Sequence, residues 1–216
     1  MKKYILFDLD GTLTEPMVGI TKSVKYALEK FNINVDTLEE LCKFIGPPLK
    51  DSFMEFYNFS EEEAERGVEY YRERYSTKGI YENLVYEGIE LLLKKLKENN
   101  KVLIVATSKP TVFAKQIIEH FELNEYFNYT CGSNLDGTRS KKAEVIEYAL
   151  NAAGVKDKSE AIMIGDRKHD IIGAKSLNID SIGVLYGYGN VEELKSSGAD
   201  YIVENVESLE RLLITL

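Results

Sequence analysis

The chain has 216 residues, 44% of them hydrophobic and 29% charged, and a net charge of −9. That suits one large globular domain, or one domain with a modest insertion, and enough apolar content for a substantial core. The acidic balance argues against a nucleic acid polymer as the main partner, because phosphate backbones demand Lys- and Arg-rich surfaces, and it obliges any anionic substrate to find a local positive site.

The spacing of apolar residues predicts the elements in chain order. Residues 3–8 read as an apolar strand that ends in Asp8-Leu9-Asp10-Gly11-Thr12. Two carboxylates held this close repel each other, so one must take a proton or both must share a cation. From about Gly19 to Thr77 the pattern turns helical. Ile20, Val24, Ala27, Leu28 and Phe31 recur at helical spacing, and Thr37-Leu38-Glu39-Glu40 reads as a capping box over a short helix. Gly46-Pro47-Pro48 breaks that helix, and Leu49, Phe53 and Phe56 suggest the next one. Ser60-Glu61-Glu62-Glu63 is a second capping box, opening a helix to about Thr77.

Past Tyr86 helix and strand alternate. Helices are expected over 88–98, over Pro110 to Phe121 with Pro110 in the first turn, over 142–153 ending at Gly154, over 169–177 and over 206–214. Strands are expected at 101–107, 127–131, 160–165 and 181–185, with a short edge strand at 201–203. Apolar strands separated by helices imply an α/β fold: a Rossmann-like three-layer α/β/α core on a parallel sheet, carrying an inserted helical domain. The core is assigned to residues 1–15 and 82–216 and the insert to 16–81.

Open parallel sheets bind ligands at the carboxyl ends of their strands. In order, those ends carry Asp8 and Asp10, then Thr107 and Ser108, then Lys141 and Lys142 opening a helix, then Asp166 with Asp170. Taken singly, each has an ordinary structural reading. Asp-Gly favours turns, a hydroxyl pair before Lys109-Pro110 suits a helix N-cap, and Asp170 suits the N-terminal end of its helix. Together, on one rim, they form a chemical constellation.

With these motifs the chain resembles a haloacid dehalogenase superfamily phosphatase. The match runs through Asp8-x-Asp10-x-Thr12, Thr107 ending the next core strand, Lys142 opening a later helix and Gly165-Asp166-x-x-x-Asp170. Gly46-Pro47-Pro48-Leu49 and Tyr186-Gly187-Tyr188-Gly189 are similar to the phosphoglycolate-phosphatase-like branch with its first type of helical cap. The resemblance implies that Asp8 is the nucleophile and forms an aspartyl-phosphate, and that Asp10 is the general acid and base. It implies Mg²⁺ on Asp8, Asp166 and the backbone carbonyl of Asp10. Thr107, the Ser108 N–H and Lys142 (or Lys141 in its stead) would hold the phosphoryl group. Asp170 would orient Lys142 or a metal-bound water, and the insert would close over the site.

The implied activity is Mg²⁺-dependent hydrolysis of a small phosphorylated metabolite, of the phosphoglycolate type or a nucleoside monophosphate as for a 5'-nucleotidase. The rivals are a phosphosugar mutase on the same fold and, from another class, a phosphoacceptor signalling module, against which the helical insert argues. Lys50 is the insert residue expected to touch substrate, and the Tyr186–Gly189 segment reads as a flexible loop facing the insert. No apolar stretch approaches membrane-spanning length, and no signal peptide is read at Lys2-Lys3. Cys42 and Cys131 read as reduced thiols. The expectation is a cytoplasmic monomer or homodimer without membrane contact.

Overall fold

Tyr4–Phe7 forms strand β1, and its Ile5, Leu6 and Phe7 are fully buried, as a strand covered on both faces requires. The computed structural model describes residues 1–216. The chain divides into two compact units, residues 1–15 with 85–216, and residues 16–84.

The larger unit continues from β1 through the two-residue strand β2 (Thr14–Glu15) and resumes after the insertion, where the two-residue strand β3 (Leu84–Val85) lies at the junction. The remaining strands are β4 (Val102–Pro110), β5 (Tyr129–Ser133), β6 (Ala161–Gly165), β7 (Asp180–Val184) and β8 (Tyr201–Val203). They join β1 in a six-stranded sheet of order β5-β4-β1-β6-β7-β8, parallel throughout. From β1 the chain builds outward to β4 and β5, then returns to the other side of β1 for β6. That reversal puts the crevice of an open parallel sheet at the carboxyl end of β1, where it adjoins β6.

Helices α1–α3 belong to the insertion. The larger unit carries α4 (Ile89–Glu98), α5 (Thr111–His120), α6 (Lys142–Ala152), α7 (Lys168–Ser176), α8 (Val191–Ser196) and α9 (Val206–Thr215). Leu6, Ile104, Ala106 and Met163 of the sheet pack on Val145, Ile146 and Ala149 of α6 and Ala174 of α7 in one buried cluster.

Three local differences from the sequence reading have physical reasons. β4 runs on to Pro110, because its last residue pairs with Ser133 after a break in register, and Pro110 therefore stands at the N-cap of α5 rather than in its first turn. The short helix after Thr37 is a 3-10 helix over Glu39–Phe44 with Leu38 at its N-cap. Only the Glu40 half of the expected box forms, its carboxylate accepting from the Thr37 N–H at 3.3 Å. Helix α8 has no counterpart in the sequence pattern, although Asn190 caps it by accepting from the Glu193 N–H.

The smaller unit contains α1 (Met17–Glu29), α2 (Leu49–Tyr57) and α3 (Glu61–Tyr75). The Ser60–Glu63 capping box is complete, each residue's side chain bonding the other's backbone N–H. Its interior is aromatic: Phe53 stacks on Phe59, and Phe44 meets Phe53 edge-on. No helix of the chain is long and apolar enough to cross a membrane.

Candidate active site

The carboxyl ends of β1, β4 and β6 bring the motif residues together in the larger unit. Asp8, Asp10, Thr107, Lys142, Asp166 and Asp170 are all buried. One oxygen of Asp8 accepts from the Leu9 N–H at 2.8 Å and lies 2.8 Å from the Lys142 ammonium. Lys142 also lies 2.8 Å from Asp170 and donates to the Ala106 carbonyl at 3.3 Å. Lys141, its neighbour, is exposed. Asp166 accepts from the Tyr188 N–H at 2.8 Å and from the Thr12 hydroxyl at 3.5 Å. Asp170 serves two ends at once: one oxygen faces Lys142, and the other accepts from the Arg167 N–H at 3.0 Å and so finishes the start of α7.

Asp10 takes a different partner. Its Oδ2 lies 2.8 Å from the ammonium of Lys109, and its Oδ1 is buried with no hydrogen-bond partner. Sequence reasoning gave Lys109 no role. The available signal was a lysine directly after Thr107-Ser108 at the end of an apolar parallel strand. Thr107 accepts from the Lys109 N–H through its hydroxyl, and the Ser108 carbonyl accepts from the Ser133 hydroxyl.

Glycines let the backbone close around these acids. Gly11 has φ +81°, a conformation that favours glycine, and a Cβ there would stand 2.3 Å from an Asp166 oxygen. A Cβ on Gly187 would lie 2.3 Å from the Gly11 carbonyl. The Tyr186–Gly189 segment is thus seated on the first motif rather than loose: Tyr186 donates to the Thr12 carbonyl at 3.0 Å and Tyr188 to Glu15 at 2.5 Å. Tyr86 packs edge-on against Tyr186, at 5.0 Å between ring centroids.

The electrostatics are those of a site short of positive charge. Four carboxylates (Asp8, Asp10, Asp166 and Asp170) face two ammonium groups, which leaves two negative charges unmatched. Burial, reinforced by Asp170 and Asp8, holds Asp166 well above the usual carboxylate range. Burial also raises Asp170 and Asp10, against the opposing pull of Lys142 and Lys109 respectively. For Lys142 burial favours the neutral amine, but Asp170 and Asp8 outweigh it and raise its pKa. Asp8, Asp166 and Asp170 each offer an oxygen within 4.8 Å of the others. An all-oxygen set with two excess negative charges fits a hard divalent cation.

The family description for a haloacid dehalogenase-like hydrolase matches residues 5–184. The chain belongs to the haloacid dehalogenase-like hydrolases. Among relatives of this hydrolase, a 5'-nucleotidase of Pseudomonas aeruginosa is 44% identical over 97% of this chain and 94% of its own. The tyrosine-protein kinase PtkA of Mycobacterium tuberculosis is 32% identical over 96% of this chain and 70% of its own. The crystal structure of a predicted phosphatase from Clostridium acetobutylicum superposes with a TM-score of 0.98, at 56% identity and complete coverage of both chains.

Lys50 lies on α2 in the smaller unit, half-buried, 2.8 Å from Glu65 and 3.5 Å from Glu61, both exposed. Exposed pairs of this kind are worth little, so its charge remains easy to redirect.

Proposed function

We propose that this hydrolase is a phosphatase of small phosphate monoesters that works through Asp8. The observation that carries this reading is the buried Asp8 carboxylate with Lys142 fixed 2.8 Å away. Asp8 attacks phosphorus and forms an aspartyl-phosphate, which splits hydrolysis into two easier displacements. Asp10 protonates the departing ester oxygen and later takes a proton from the attacking water. Its raised pKa favours the protonated form that the first half needs. Thr107 and the Ser108 N–H hold phosphoryl oxygens, Lys142 neutralises their charge, and Asp170 keeps Lys142 in place. Asp8 and Asp166, with the backbone carbonyl of Asp10, would hold Mg²⁺, which would supply charge neutralisation between an anionic nucleophile and an anionic phosphate. Residues 16–84 would serve as the family's cap, whose role is to keep bulk water from the reacting phosphate, and Lys50 is its candidate substrate residue.

For the substrate, a nucleoside 5'-monophosphate is favoured over phosphoglycolate, because the 44% identical relative is a 5'-nucleotidase. The test is kcat/KM with Mg²⁺ across nucleoside 5'-monophosphates, 2-phosphoglycolate, hexose phosphates and pyrophosphate. Nucleotides should rank first, and a clear preference for another class would overturn the substrate reading. Phosphorus NMR of the products separates hydrolysis from mutase transfer. Asp8→Asn should abolish turnover while leaving the fold intact, because the near-isosteric amide cannot attack phosphorus. Retained turnover would remove Asp8 from the mechanism.

A further inference from the structure

Lys109 has no part in the mechanism above, yet its side chain is only 6% exposed and sits directly on Asp10. Its position is built by the sheet. β4 loses register between Ala106 and Pro110, where pairing resumes on Ser133. Such bulges re-aim side chains beside active sites. The irregular stretch is pinned from both sides. Thr107 Oγ1 accepts from the Lys109 N–H at 3.3 Å, Ser133 Oγ donates to the Ser108 carbonyl at 2.8 Å, and Thr111 Oγ1 donates to the Ser133 carbonyl at 3.2 Å. Gly132 permits this approach, since a Cβ there would stand 2.3 Å from the Lys109 carbonyl oxygen. At the far end of the side chain, the ammonium lies 2.8 Å from Asp10 Oδ2, while Asp10 Oδ1 is buried without a hydrogen-bond partner.

From this geometry we infer that Lys109 is a positioning residue that gives the two oxygens of Asp10 separate duties. The inference rests on the phosphatase reading. A lysine ammonium has three donors and no acceptor, so Asp10 Oδ2 faces it as the acceptor, and a proton placed on Oδ2 would weaken that contact. Lys109 thus fixes Asp10 through Oδ2 and leaves Oδ1 as the oxygen that exchanges a proton with the substrate. In the first half-reaction the Asp8–phosphorus bond forms as the ester P–O bond breaks, and the Oδ1 proton passes to the departing oxygen. In the second, water oxygen bonds to phosphorus as the Asp8–phosphorus bond breaks, and Oδ1 takes the water proton. Lys109 keeps its own proton throughout, and no further reactant is needed.

The test compares wild type, Lys109→Met, Lys109→Gln, Lys109→Arg and Asp10→Asn on p-nitrophenyl phosphate and on glycerol phosphate. The nitrophenolate leaves readily without a proton; the alkoxide does not. Lys109→Met should lower kcat on glycerol phosphate about tenfold more than on p-nitrophenyl phosphate, a fraction of the usual general-acid contribution. Its KM should be unchanged, and Lys109→Arg should recover most of the loss. Lys109→Gln, of similar length and uncharged, should have the same bias and serves if the methionine variant melts early. Equal losses on both esters, or a loss confined to KM, would overturn the inference. So would a bias in Asp10→Asn without one in either neutral Lys109 variant. Absence of the bias in Asp10→Asn itself would instead overturn the assignment of Asp10 as the acid, which is a failure of the phosphatase reading.

Discussion

Replacing Lys142 by methionine tests whether this lysine holds the acidic rim together. The ammonium lies 2.8 Å from an oxygen of Asp8 and 2.8 Å from one of Asp170, with 3% of its side chain exposed. At an effective dielectric of about 20, each contact represents roughly 6 kcal/mol of gross attraction. Desolvating three buried charges cancels most of that. The net effect of removing one partner from a buried ion pair is about 3–5 kcal/mol, because the other charge stays behind uncompensated. For a chain of this size that corresponds to a melting point lower by roughly 6–20 °C. The assay is thermal unfolding in EDTA and again in excess Mg²⁺. Lys142→Met should melt lower in EDTA, and Mg²⁺ should recover part of the difference by taking over the neutralisation. Because its folded pKa is raised, the lysine's stabilisation is fully present below the ordinary lysine range and fades only in strong alkali. From about pH 6 to pH 9 the lysine itself therefore adds no slope, and any pH dependence of the difference comes from Asp170, whose pKa Lys142 holds down. A melting point within the error of wild type in EDTA would refute the reasoning.

Two further outcomes are expected. Gly11→Ala should cost about 2–4 kcal/mol from backbone strain and the collision with Asp166, and should abolish the Mg²⁺-dependent rise in melting point; a normal Mg²⁺ response in a folded variant would contradict the close approach. The metal-free protein should lose stability as pH rises through the raised carboxyl range of Asp10, Asp166 and Asp170, since the native state holds those protons more tightly than the unfolded chain. Urea unfolding across pH checks this: the slope should be present in EDTA and flattened by Mg²⁺, and a slope of opposite sign would refute it.

Much of this was legible in the sequence because the physics involved is local or periodic. A buried parallel strand must be apolar throughout, so Ile5–Phe7 and Ala161–Gly165 announced themselves. The Ser60–Glu63 cap depends on residues three apart. The acids at strand ends were readable because charge at the end of an apolar run is costly without a purpose. Lys109 was not readable in the same way. Before Pro110 it looks like solvated charge or helix-cap context, and only the register break against β5, a tertiary event, turns it onto Asp10. The Tyr186–Gly189 segment misled for a related reason. Alternating glycine and tyrosine suggests mobility, whereas here the glycines admit the backbone to Asp166 and the tyrosines anchor it. Helix α8 escaped because six residues are too few for a periodic signal, although Asn190 and Glu193 stood at capping distance.

The grip of that tyrosine segment bears on how such an enzyme can diversify. Tyr188 holds Glu15, the last residue before the inserted unit, and Tyr186 packs on Tyr86, the second residue after it. Both points of attachment are tied to one loop whose backbone also braces Asp166. The intervening stretch can therefore be lengthened, shortened or rewritten while the reaction centre keeps its shape. Selection can retool what the enzyme recognises without renegotiating how it cuts.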